Sequence, residues 1–131
     1  MPQARDPLRL ERLDHFGVDV ADLERAERFY TQVLGMTVRM RLPDQVLLGY
    51  GDGSCALFLK PGREPGGLEQ IEDPLGKTHH AFRVEHAELG RARALFDERG
   101  VPYHAPIDWG DHDCLYFLDP DGNLLELVGY R

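Results

Sequence analysis

Three side chains of this 131-residue chain have the types and spacing to hold a divalent metal ion: His15 in "LDHFGVDV", His79 in "THHAFRV" and Glu126 in "NLLELVGY". Each sits in an apolar run that reads as a strand, where every second side chain shares a face. His15 then stands beside Gly17 and Asp19, and His79 beside Ala81 and Arg83, so small neighbours leave each imidazole in a concavity. Glu126 shares its face with Leu124 and Val128, where a carboxylate would be desolvated unless paired or bound to a metal. Two imidazoles and one carboxylate form the facial set that grips a divalent ion and leaves positions open to water, oxygen or substrate. A single strand histidine is more often a core or rim residue than a ligand. The weight here comes from the joint pattern, because the three residues occupy repeat-related positions.

The elements that must position them read twice along the chain. "RLDHFGVDV" has strand character, and a helix follows from Ala21 to Gly35, with Asp22 as its N-cap and Gly35 as its stop. "MTVRMRL", "QVLLGYG" and "CALFLKP" complete a β-α-β-β-β order, punctuated by turns. The second half repeats it: "THHAFRV", a helix from Ala87 to Gly100, then "VPYHAPI", "CLYFLD" and "NLLELVGY". His15 leads the first module and His79 the second. Such a repeat implies that each half-sheet pairs with its sibling or with another chain. Superposing the "DG" turns at Asp52–Gly53 and Asp121–Gly122 sets Leu57 opposite Glu126, so a fourth protein ligand is not expected.

Module one spans about 13–60 and module two about 78–130, one domain in all, joined by a Pro- and Gly-rich loop over 61–77. Loops of that length are commonly functional; both a lid over a site and a plain connector remain open readings. Hydrophobic content of 42% and charged content of 29% are ordinary for a soluble globular protein. No apolar stretch is long enough to span a bilayer, the N-terminal residues hold no secretory core, and a cytoplasmic location is expected. The net charge of −8 argues against nucleic acid as a partner and favours a small molecule. Cys55 and Cys114 sit in apolar strands and are expected as buried thiols.

"LDHFGVDVADLERAERFYTQVLGM", "THHAFRV" and "YFLDPDGNLLEL" resemble the vicinal oxygen chelate superfamily, which includes glyoxalases, bleomycin-resistance proteins, fosfomycin-resistance thiol transferases and extradiol dioxygenases. The resemblance covers about Leu13 to Tyr130. It implies an α+β fold in which two βαβββ modules form a cupped, mostly antiparallel eight-stranded sheet. It also implies a homodimer whose sites are shared between chains, and it places the family's metal ligands on His15, His79 and Glu126. The common device is a divalent ion that takes two substrate oxygens and stabilises the charge that develops there.

The branches differ in residues that this chain has or lacks. Metal-dependent glyoxalases resemble a four-ligand pattern, and Leu57 departs from it. Fosfomycin-type thiol transferases share the His, His, Glu set, but the stretch "HAPIDWGDHDCLYF" has no Lys, Arg, Ser or Thr with which to cradle a phosphonate. Extradiol dioxygenases use Fe(II) in such a three-ligand site, and "LYFLDPDGNLLE" fits the end of their signature, with Tyr116 as its tyrosine. The upstream histidine of that signature is missing, since His112 is too near and His104 too far. The favoured reading is therefore a dioxygenase-like metalloenzyme with Fe(II), although Mn(II), Zn(II) or Ni(II) also suit the ligands. Tyr116 would donate a hydrogen bond to a substrate oxygen, and His112 is the weaker acid–base candidate. A thiol transferase and a metal-free drug-binding cup, with Trp109, Tyr103 and Phe82 stacking on an aromatic cation, are the alternatives.

Overall fold

The computed structural model describes residues 3–131. Each half of the chain builds a four-stranded sheet with one long helix. The first half holds β1 (His15–Val20), α1 (Leu23–Gln32), β2 (Thr37–Leu42), β3 (Gln45–Tyr50) and β4 (Gly53–Leu59), in the strand order β1-β4-β3-β2. A short α2 (Glu69–Glu72) lies in the linker. The second half holds β5 (His80–Arg83), α3 (Glu88–Arg99), β6 (Ile107–Asp108), β7 (His112–Leu118) and β8 (Leu124–Tyr130), in the order β5-β8-β7-β6. In both halves the first strand pairs parallel with the last, and the other ladders are antiparallel. The two βαβββ modules are thus present, their eight strands divided between two four-stranded sheets.

Local chemistry explains the elements. Asp22 caps α1 by accepting from the Arg25 amide at 3.1 Å, Ala26, Phe29 and Tyr30 are buried, and Gly35 turns the chain away at φ 72°. In β1, Phe16, Val18 and Val20 are buried while His15, Gly17 and Asp19 are exposed. One face of each sheet therefore meets the helices, and the other is left for chemistry. The main core joins both halves: Phe16, Phe29, Leu48 and Leu57 cluster with Phe96 and Phe117. The Phe117 ring lies 4.8 Å from Phe96 and 6.4 Å from Phe29, centroid to centroid, so one side chain of β7 meets a ring from each long helix.

A polar lock holds the halves in register. Asp121, fully buried in the turn between β7 and β8, accepts from the Ala21 amide and from Arg25 Nη2, both at 2.8 Å and both in the first half. Beside it, Tyr30 donates to Asp119 Oδ2 at 2.8 Å. Asp119 is itself held by the amides of Asp121 and Asn123. Burial pushes the Asp119 carboxyl up, and these hydrogen bonds pull it back. The linker joins the lock: the Gly66 amide donates to the Asp121 carbonyl at 2.8 Å, so tightly that a Cβ on Gly122 (φ 77°) would strike the Gly66 backbone.

Two expectations change in detail. The strand expected over Val101–Ile107 is irregular for most of its length, with Tyr103 making a single bridge to Phe117 and β6 confined to Ile107–Asp108. Pro102 and Pro106 have no amide to donate to a ladder, which accounts for the loss. The linker over 61–77 is neither bare nor free. Its α2 buries Ile71 against Cys114, Tyr116, Leu118 and Leu124 of the second sheet. Cys55 and Cys114 are buried free thiols, and among the described residues no helix is long and apolar enough to cross a membrane.

The lock makes a stability prediction. Asp121→Ala strands the Ala21 amide and removes the Arg25 partner, so unfolding in urea should show a loss of about 2–3 kcal/mol. A loss below half a kcal/mol would mean that the core alone joins the modules.

Candidate metal centre

His79 and Glu126 meet on the open face of the second sheet. β5 runs parallel to β8 with Ala81 opposite Glu126, which brings the residue just before β5 to the side of the carboxylate. His79 Nε2 lies 3.0 Å from Glu126 Oε1, and His79 Nδ1 lies 2.6 Å from the Lys77 carbonyl oxygen. The carbonyl can only accept, so Nδ1 carries the hydrogen. A neutral His79 then points the lone pair of Nε2 at a carboxylate oxygen, acceptor against acceptor. Only a positive charge between them makes that arrangement favourable, whether a proton on Nε2 or a metal cation. A backbone carbonyl that accepts from one ring nitrogen, as Lys77 does here, is a device that orients metal-binding histidines. Glu126 is 8% exposed and buried among apolar neighbours, where a carboxylate needs a partner.

Tyr116 stands directly across β7 from Glu126. Its ring meets His79 edge-on at 5.3 Å. Burial, then the adjacent carboxylate, pushes its phenol up to about 12, so it is a neutral donor at physiological pH. Cys114 lies on the same face, its thiol pushed up to about 11 chiefly by burial, which leaves it protonated and inert. His112 shares the face too, but its backbone partner is Tyr130, four residues along the ladder from Tyr116. That separation is about 13 Å. His112 stacks near Trp109 and Tyr130 and bonds Asp111 Oδ1 at 2.6 Å, away from the His79–Glu126 pair.

His15 lies on the first sheet, not beside the other two. Among the described residues no three His, Cys, Asp or Glu side chains converge within one chain. Its Nδ1 bonds Asp14 Oδ2 at 2.8 Å, and its side chain is 60% exposed. Its Nε2 has no hydrogen-bond partner among the described residues and lies in a pocket of about 330 Å³ shared with Arg39, Met40, Leu47, Ala56 and Phe58. His80, one residue from His79, faces the other way and stacks on Phe16 at 4.3 Å, where burial lowers its pKa.

The residue equivalent to Glu126 is Ala56 rather than Leu57. His15 pairs with Ser54 and Gly17 with Ala56, as Ala81 pairs with Glu126. Leu57 is fully buried and belongs to the core facing the helices. From Tyr116 to its partner Glu126 the chain holds one residue more than from Leu47 to its partner Ala56, so aligning "DG" slips the strands by one and exchanges faces. Alanine is no better a ligand than leucine, and the expectation of no fourth ligand at this position is unchanged. Arg39, which shares the pocket of His15, carries no signal in the sequence pattern.

The family model described as "Glyoxalase/Bleomycin resistance protein/Dioxygenase superfamily" matches residues 12–127. A glutathione transferase, FosA, of Serratia marcescens is 28% identical over 118 residues, which cover 90% of this chain and 80% of that protein. Biphenyl-2,3-diol 1,2-dioxygenase 3 of Rhodococcus globerulus is 32% identical over 120 residues, 88% of this chain but 62% of that protein, so this chain spans under two thirds of its length. The crystal structure of a glyoxalase/dioxygenase from Nostoc punctiforme superposes with a TM-score of 0.78 over 100% of this chain and 99% of that one, at 22% identity.

The corrected alignment is testable by placing a carboxylate at each of the two neighbouring positions. Leu57→Glu buries an unpaired charge in the core and should leave little folded protein, a penalty of at least about 4 kcal/mol. Ala56→Glu should fold, with its carboxylate on the face of His15. Circular dichroism and thermal melts of both variants decide it, and two equally stable variants would refute the assigned register.

Proposed function

Since this chain belongs to the glyoxalase/bleomycin resistance protein/dioxygenase superfamily, we propose that it is a divalent-metal-dependent enzyme acting on a small substrate with two adjacent oxygens. The reaction favoured is extradiol-type cleavage of an aromatic diol, with Fe(II) as the metal. The observation that carries this reading is the His79 Nε2 lone pair facing the buried Glu126 carboxylate at 3.0 Å, with Nδ1 already committed to Lys77. That arrangement fits a metal ion. His79 and Glu126 would hold it together with the partner's His15, in a homodimer that faces the first sheet of one protomer with the second sheet of the other. A bound divalent ion supplies Lewis acidity toward two substrate oxygens at positions left open by three protein ligands.

The chain's own groups supply the rest. Tyr116, neutral and next to Glu126, donates a hydrogen bond to a substrate oxygen. The second sheet contributes an apolar wall of Leu118, Leu124 and Ile71 that excludes water from one side of the site. The pocket beside His15 contributes Phe58, Leu47 and Met40, a lining suited to a flat ring. His112, about 13 Å along the strand, enters the proposal as a group at the outer end of this groove rather than as the acid–base group at the metal. A fosfomycin-type thiol transferase is the second reading, favoured by the similarity to the Serratia glutathione transferase over most of that protein's length. Against it stands the segment 104–117, which offers an anion no lysine, arginine, serine or threonine. A drug-binding cup without metal would need a proton between His79 and Glu126 in place of the ion.

Protein purified anaerobically should carry close to one metal ion per chain by elemental analysis, and a catechol panel should then show oxygen uptake. Glu126→Ala should reduce metal affinity by roughly 100-fold or more, and a variant that kept full occupancy would refute the ligand assignment. Mixing inactive His15→Ala chains with inactive Glu126→Ala chains should restore activity if sites are shared between protomers. Manganese, zinc or nickel in place of iron would shift the assignment toward transferase or lyase chemistry. No metal, and none taken up, would overturn it.

A further inference from the structure

Arg39 is held beside His15 by three independent features. It is the extra residue of a β-bulge: Val38 pairs with Leu48 and Met40 with Leu47, and Arg39 has no partner between them. Val38 packs on the helix-side core, so Arg39 beside it falls on the open face, and the bulge returns Arg41 to the helix side, where it binds Glu27. With it, Arg39 and Met40 both reach the open face, and bulges often re-aim a side chain next to a site in this way. The guanidinium then lies over Gly49, where any Cβ would collide with it. Its Nη1 donates to Ser54 Oγ at 2.6 Å. Ser54 is the backbone partner of His15 on the neighbouring strand, about 5 Å away.

Among the described residues Arg39 forms no ion pair, although the chain carries 23 acidic residues against 15 basic ones. One carboxylate does share its pocket, that of Asp14, but it is turned to His15. The remaining walls are apolar: Met40, Leu47, Ala56 and Phe58. A fork that donates to one serine and keeps further N–H groups free, above an apolar wall, is a receptor for a planar oxyanion.

We propose that Arg39, set by the bulge, Gly49 and Ser54, is the specificity-determining anchor for a carboxylate on the substrate. The substrate class becomes an aromatic diol bearing a carboxylate remote from its two hydroxyls, which sets the ring against Phe58 and Leu47 with the diol toward His15. The net charge of −8 opposes anion binding at long range, but salt screens that field beyond about 8 Å, and the local fork decides affinity.

This inference rests on the metal-enzyme reading, and the experiment separates the two. Equilibrium affinities of metal-loaded protein are measured for catechol, for 3,4-dihydroxybenzoate, whose carboxylate cannot join the chelate, and for benzoate, which has no diol. Wild type should bind 3,4-dihydroxybenzoate about 10- to 100-fold more tightly than catechol. Arg39→Leu should abolish that preference while leaving metal content and catechol affinity unchanged. Gly49→Ala keeps the charge and displaces it, and should behave alike. Equal affinity for the two diols in wild type, or a preference that survives Arg39→Leu, overturns the anchor while the metal reading stands. If no metal and no diol binds, the metal reading falls; benzoate binding that Arg39→Leu removes would then still sustain the anchor, and its absence would end both.

Discussion

A β-ladder allows no half steps, and this structure depends on that constraint. Each module pairs its first strand parallel with its last, which fixes which residue of the one stands beside which residue of the other. On the second sheet this brings Nε2 of His79 to a carboxylate that alternation has already turned away from the helices. On the first it sets His15 beside Ser54, across from the surface that Arg39 overlies. A slip of one residue in the ladder of β8 would send Glu126 into the helix-facing core and expose Leu125 and Leu127, so burial of those leucines enforces the geometry of the site. Packing and chemistry are specified by the same register.

The turn between β7 and β8 carries the constraint from one module to the other. Asp121 accepts from the backbone and a guanidinium of the first half, and Asp119 accepts from Tyr30 of α1. Both carboxylates are buried, which is favourable only while every donor is present. Glu126 begins three residues beyond this turn, so the lock that joins the modules also sets where β8 starts. The linker is drawn into the same place, Arg63 donating to the Asp121 carbonyl and to Asn123. Its Ile71 then covers the apolar floor next to Tyr116.

Much of this was legible in the sequence because it follows from periodicity. The repeat, the two long helices, their glycine stops and the shared face of Glu126 with Leu124 and Val128 all come from patterns of two and of 3.6 residues. What escaped reading lies where those periods break. The Pro-containing segment 101–107 has strand-like composition but too few amides for a ladder. The longer turn after β7 made Leu57 look equivalent to Glu126, when Ala56 is. Arg39 was not singled out at all, since a bulge is an insertion in pairing rather than in sequence, and strict alternation would leave Arg39 and Arg41 on one face. No signal in "MTVRMRL" separates Arg39 from Arg41; only their partners do.

The division of the three proposed ligands between two sheets bears on assembly. Within one chain, His79 and Glu126 form a pair that is incomplete for a divalent ion, while His15 waits on the other sheet with its Nε2 unused. A single chain could bring the three together only by folding one sheet's open face onto the other's, which would break the lock at Asp121 and the core shared through Phe117. A second copy meets the need without such a rearrangement, because the same two faces are available on each protomer and a two-fold axis presents them to each other twice. The apolar linings around His15 and around Tyr116 would then close on one substrate from opposite sides. Under the proposed function a homodimer would be a condition of the chemistry, and the exposed His15 would be one half of a shared site.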